Sequence, residues 1–234
     1  MNLEELDYAQ TRFGELILRR RKSPSLDGEE VYEVLLDGEY LMSSRVHASE
    51  VALAKLGLEA AVVSDGPVLV GGLGLGHTAA AALDREDVRQ LVVVEALPQV
   101  LAWHRERRVP LGDRLMEDPR CRLVHDDFFE LIAREPEADA PLYRSILVDI
   151  DHSPGSLLHS DHASFYDPSR LEQMARHLAP GGSFALWSAD ELEDPFVDSL
   201  GRALNATPKV HLIEFENPHT ADDDRNWIAV IPRG

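Results

Sequence analysis

The sequence predicts an α/β fold: a doubly wound, mostly parallel sheet preceded by a small antiparallel β-ribbon. Three observations carry that prediction. From Pro67 onward, apolar runs of strand length alternate with segments of helical spacing, the pattern of a parallel sheet covered by helices. Gly72, Gly74 and Gly76 punctuate VLVGGLGLGHT, between the first of those apolar runs and the first helical segment. The first 46 residues lack the alternation and instead set aliphatic runs around Asp37-Gly38, a hairpin signal.

In the ribbon, Gly14–Arg21 and Val31–Asp37 read as strands, with Glu39–Met42 as the returning strand. Residues 22–30, holding Ser, Pro, Asp and Gly, separate the first two. The Arg19–Lys22 run reads as a solvated strand end. A ribbon this small needs a larger body to pack on, which divides the chain into residues 1–46 and 47–234. His47–Ala60 shows helical spacing at Val51, Leu53, Ala54 and Leu58. Strands then follow at Val68–Val70, Leu91–Glu95, Arg122–His125, Ser145–Asp151 and Ser183–Ser188. Between them lie helices at Thr78–Leu83, from Glu95 to about Arg107, at Phe128–Arg134 and at Ser169–Leu178, the last ended by Pro180-Gly181-Gly182. After a helix near Pro195–Asn205, Val210–Glu216 and Trp227–Ile231 form a terminal antiparallel pair.

Composition narrows the function. The 234 residues include 42 acidic and 23 basic ones, a formal net charge of −19. Such a surface repels phosphate backbones and anionic membranes and suits a cationic small molecule. A single cysteine, Cys121, leaves no disulfide framework or cysteine-rich metal cluster. The acidic N-terminus lacks the apolar core of a secretory signal, and no run is long enough to span a bilayer. The expected location is the cytoplasm.

The glycine cluster is the strongest chemical signal. Residues without Cβ at 72, 74 and 76 let a strand turn sharply into a helix whose free N–H groups face a ligand. Glu95 ends the next strand about 20 residues on, where an acid accepts hydrogen bonds from ribose hydroxyls. Asp126 and Asp127 follow the third strand beside Phe128 and Phe129, placed for an adenine amino group and ring, or equally for a helix cap. Asp149 and Asp151 end the fourth strand, where ligands of open α/β sheets sit. Either could hold or deprotonate an amine, with Asp149 favoured because it closes the apolar run. His152, His159, Asp161 and His162 lack metal-ligand spacing, so no metal is expected. His47 and Glu50 share a helix face, and Tyr143 reads as packing.

In this order the motifs resemble the spermidine synthase family over nearly the whole chain: GELILRRR with YEVLLDGEYLMSS, SEVALA, the glycine turn, VVVEALPQV, DPRCRLVHDDFFEL, LVDIDHSPG and LAPGGSFALWS. The resemblance implies a class I methyltransferase-like Rossmann fold and a homodimer. It also implies Glu95 as the ribose acid, Asp126 as the adenine-side acid and Asp149 as the catalytic aspartate. One departure bears on the reaction. The family's glycine turn carries an acid that grips the ammonium of decarboxylated S-adenosylmethionine, and Leu75 stands there. The first expectation is therefore an S-adenosylmethionine-dependent methyltransferase acting on a small amine-bearing acceptor. The second is a polyamine aminopropyltransferase using decarboxylated S-adenosylmethionine. The third is a ligand-binding protein without chemistry.

Overall fold

The computed structural model describes residues 2–22, 29–216 and 223–234. The N-terminal strands β1 (Asn2–Thr11), β2 (Gly14–Lys22), β3 (Glu30–Leu36) and β4 (Glu39–Ser43) form an antiparallel sheet in the order β1-β2-β3-β4. Asp37 and Gly38 both take positive φ, 51° and 83°, in the β3–β4 turn, as a tight hairpin requires. Most of the polar segment expected at residues 22–30, namely 23–28, lies outside the described residues.

β1 is a strand the sequence did not announce. Its acidic text hides the alternation, because pairing with β2 is helped by charge, with Glu4 on Arg20 at 2.7 Å. The Arg19–Lys22 run is likewise more than a solvated end. Arg19 and Arg21 both donate to the buried carboxylate of Glu33, at 2.7 and 2.5 Å.

The remaining elements are α1 (Ala48–Ala60), β5 (Val68–Gly71), α2 (His77–Leu83), β6 (Leu91–Glu95), α3 (Pro98–Arg105), α4 (Gly112–Glu117), β7 (Cys121–His125), α5 (Phe128–Ala133), β8 (Tyr143–Val148), α6 (Pro168–His177), β9 (Leu178–Ser188), α7 (Asp194–Leu204), β10 (Lys209–Glu216) and β11 (Asp223–Pro232). They build a seven-stranded sheet, ordered β10-β11-β9-β8-β5-β6-β7. β7, β6, β5, β8 and β9 run parallel, while β11 and β10 are antiparallel. The fold expected from the alternation is the fold observed. None of the helices among the described residues is long and apolar enough to cross a membrane.

Three local readings change. α4 and a 3-10 segment, Ser160–Tyr166, were not expected; both are too short to show a helical period. β9 begins before Pro180-Gly181-Gly182 rather than after it. Gly181 at φ 77° lets the strand absorb the register shift opposite Tyr143 and Ser145. β8 stops at Val148, so Asp149 and Asp151 stand on the loop beyond it.

The two sheets are joined through one core. Leu16, Leu18, Val34 and Leu36 of the small sheet cluster with residues of α1, α2, α3 and β5. The Trp103 indole N–H donates to Asp7 at 2.6 Å across the same junction. This packing supplies the body that a four-stranded ribbon needs and brings its β1–β2 turn over the carboxyl ends of the parallel strands.

Candidate active site

A cavity of about 370 Å³ opens beyond the carboxyl ends of β5, β6, β7 and β8. Its floor is the glycine turn. Gly72 has φ 91°, and a Cβ there would fall 2.1 Å from the Asp149 carbonyl oxygen, so the turn and the β8 loop approach as closely as glycine alone permits. Gly74 and Gly76 line the same floor, Gly76 at φ 92° opening α2.

Glu95 ends β6 buried beneath that turn. Its carboxylate accepts from Leu73 N–H at 3.0 Å and Leu97 N–H at 2.8 Å, so it braces both the glycine turn and the start of α3. Burial pushes its pKa up, and the backbone N–H groups partly offset this. It lines the cavity.

The acidic pair after β7 divides its work. Asp127 caps α5, accepting from Phe129 and Glu130 N–H, and pairs with Arg12 of the β1–β2 turn at 2.5 Å. Asp126 turns to Arg134 at 3.1 Å. Of the two, only Asp127 lines the cavity, together with Phe128 and Phe129.

Asp149 accepts a 2.6 Å hydrogen bond from Thr78 Oγ1 on α2. Burial pushes its pKa up to about 6, a rise the Thr78 bond moderates. Glu50, on α1, lines the same space and accepts from Ser49 Oγ at 2.9 Å. Burial first, and then the negative charge of Asp149, push Glu50 up to about 7. The two carboxyl groups thus face a common cavity and oppose each other's ionisation. Sequence spacing put Glu50 on a face with His47, but not opposite Asp149, a relation only the tertiary fold creates.

Asp151 has a different environment. Its oxygens accept from Leu158 N–H at 2.9 Å, His162 Nδ1 at 2.7 Å and Tyr166 OH at 2.9 Å. The Tyr166 phenol is held well above its ordinary pKa by burial and by Asp151, so it stays protonated and donates. With three donors on it, Asp151 is a brace and not a free base. It lines the same cavity as Asp149. The histidines seen as a loose cluster take different roles: His162 is buried on the cavity wall and His159 caps the 3-10 segment. No group of His, Cys, Asp or Glu among the described residues is arranged to hold a metal ion.

His47 and His77 stack with ring centroids 4.2 Å apart. Burial, then the neighbouring His47 and His104, push His77 down to about 4, so it is neutral at physiological pH. Leu75, 3% exposed, belongs to the apolar core as well as to the cavity lining. β9, β10 and β11 add Trp187, Phe215, Asp224 and Asn226. Six carboxylates therefore line the cavity (Glu50, Glu95, Asp127, Asp149, Asp151 and Asp224), and among the described lining residues there is no lysine or arginine.

The solved structures most informative here are two. A spermidine synthase in complex with the transition-state analogue AdoDATO superposes with a TM-score of 0.76 over 98% of this chain and 74% of its own, at 15% identity. The spermidine synthase of Thermotoga maritima superposes with a TM-score of 0.75 over 98% and 73%, at 16% identity. The chain shares the fold of these two enzymes. A curated relative, polyamine aminopropyltransferase 2 of Pseudomonas aeruginosa strain PAO1, is 29% identical over 123 residues. That stretch is 51% of this chain and 32% of the relative, so the chain matches about a third of that enzyme's length. No family model matches.

Proposed function

We propose that the chain is a polyamine aminopropyltransferase, taking the aminopropyl group of decarboxylated S-adenosylmethionine to a small amine. The acceptor nitrogen attacks the methylene next to the sulfonium. The new C–N bond replaces the C–S bond, methylthioadenosine leaves, and the amine gives up one proton. Asp149 orients the acceptor and takes that proton, and alignment of the two reactants supplies most of the acceleration. Glu95 holds the ribose, and the wall of Asp127, Phe128 and Phe129 takes the base.

The observation that carries this reading is the charge of the cavity. Decarboxylated S-adenosylmethionine is cationic at both sulfonium and tail, and an amine acceptor adds more positive charge. Six carboxylates without a lining lysine or arginine suit that set. Intact S-adenosylmethionine would bring its own carboxylate toward Glu50 and Asp149 with no cation to meet it. Methyl transfer, the first expectation from Leu75, gives way on this ground and because the named relative is an aminopropyltransferase. Glu50, reaching in from α1, stands in for the acid missing from the glycine turn. The proposal includes a cytoplasmic homodimer. Leu3, Tyr8 and Tyr40 on the small sheet, and Val210 and Leu212 on the edge strand β10, are large exposed apolar groups of the kind that interfaces cover.

Calorimetric titration tests the donor. Decarboxylated S-adenosylmethionine should bind at least about tenfold tighter than the intact form, roughly one charge-assisted hydrogen bond. A preference for the intact form would restore methyl transfer.

A further inference from the structure

The reading of the cavity as an adenosyl site leaves one question of chemistry open: what reads the base. The acids expected to do so both already have partners. Asp126 is held by Arg134 at 3.1 Å, and Asp127 by Arg12 at 2.5 Å and by two backbone N–H groups of α5. His162, on the same wall, is bonded through one ring nitrogen alone among the described residues.

The imidazole of His162 is 4% exposed, and its Nδ1 lies 2.7 Å from Asp151 Oδ1. Asp151 accepts at both oxygens, so the proton of this contact sits on Nδ1, and Nε2 is the ring nitrogen left for a ligand. Nε2 has no hydrogen-bond partner among the described residues and is not sealed in the protein. The ring lines the cavity. Its surroundings place it at the base end: the Phe129 ring is 4.3 Å away at centroids, and Phe13 packs edge-on at 5.7 Å. Phe129 lies in the first turn of α5, after β7 and beyond the ribose acid Glu95 on β6. Phe13, Phe129 and the braced imidazole together line the part of the cavity that would meet a flat heterocycle presenting an N–H donor.

We propose that His162 Nε2 reads the exocyclic amino group of the nucleobase, with Asp151 and Tyr166 holding the imidazole in the accepting tautomer. His162 is a specificity-determining residue that touches the ligand, while Asp151 and Tyr166 are positioning residues. An adenine supplies the donor that Nε2 lacks. A 6-oxopurine presents an oxygen there, leaving two acceptors opposed and the buried nitrogen unpaired, which is how a site built to bond one group rejects its analogue.

The inference rests on the adenosyl reading, and the experiment separates the two. Methylthioadenosine and its 6-oxo counterpart, methylthioinosine, are titrated into the full chain at slightly alkaline pH. The unmodified protein should prefer methylthioadenosine by about tenfold or more. His162→Phe should bring the ratio close to one by weakening methylthioadenosine alone. His162→Gln keeps a polar group that can either donate or accept. It should also bring the ratio close to one, by strengthening methylthioinosine, and it serves if the phenylalanine variant does not fold. Binding of methylthioadenosine with an unchanged ratio in a folded variant would overturn the role of His162 and leave the adenosyl site standing. Absence of binding of either nucleoside to the unmodified protein would overturn both.

Discussion

At the residue scale, the carboxyl groups of Glu50 and Asp149 carry the testable electrostatics. Both are raised by burial, to about 7 and about 6, above the ordinary range near 4. A raised folded-state pKa means that the folded protein holds the proton more tightly than the unfolded chain. The stability this pair contributes is therefore complete below the ordinary carboxylate range and is lost as pH rises through about 6 to about 7. Glu50→Gln should raise the stability of the ligand-free protein at neutral pH by on the order of 1–3 kcal/mol, with little effect near pH 4. It should also weaken decarboxylated S-adenosylmethionine about tenfold or more. Urea unfolding at the two pH values and calorimetry check the two halves. A variant less stable at neutral pH with undiminished binding would contradict them. Glu95 behaves differently. Because it braces Leu73 and Leu97, Glu95→Ala should lower stability by about 1–3 kcal/mol as well as nucleoside affinity, although the sequence suggests a strand-end acid with little structural part. Glu95→Gln retains one acceptor, so most of its loss should appear in affinity. An alanine variant with unchanged melting temperature would refute the brace.

At the element scale, the strand-to-helix turn between β5 and α2 was the most legible feature. Its glycines mark a backbone requirement, and Gly72 confirms it with a carbonyl where a Cβ would stand. Gly72→Ala should cost several kcal/mol and abolish nucleoside binding. Wild-type-like thermal melting and titration in that variant would show the contact to be dispensable. The strands β5 and β6 were equally legible, since both are apolar runs buried on both faces. β1 was not, because cross-strand charge pairs replace hydrophobic alternation there. The roles of the loop histidines were hidden for another reason. His162 and Asp151 are eleven residues apart in sequence, and only the 3-10 segment brings them together.

At the scale of the whole molecule, the small sheet completes the cavity. Phe13, Leu16, Val34, Leu36 and Met42 line it from β2, β3, β4 and the β1–β2 turn. The sequence marked this region as a ribbon needing support, but not as a cavity wall, since no local pattern records which side of a sheet covers a ligand. Arg12→Ala removes the tie to Asp127 across that junction. The tie is half exposed on the arginine side, so the loss in stability should stay below about 1 kcal/mol. Nucleoside dissociation should be faster, as stopped-flow kinetics would record. An unchanged dissociation rate would mean that the turn does not cover the ligand. The proposed homodimer should appear as twice the chain mass in light scattering at micromolar concentration, and a monomer mass would remove it.

The most direct test of the central claim is the identity of the products. The protein is incubated with a small diamine and, in separate reactions, with decarboxylated and intact S-adenosylmethionine, and both halves of each reaction are weighed by mass spectrometry. The cavity lined by six carboxylates and the Glu50–Asp149 pair predict methylthioadenosine and an aminopropylated amine from the decarboxylated donor. From the intact donor they predict neither S-adenosylhomocysteine nor a methylated amine. A methylated amine with S-adenosylhomocysteine, and no methylthioadenosine from the decarboxylated form, would contradict the account.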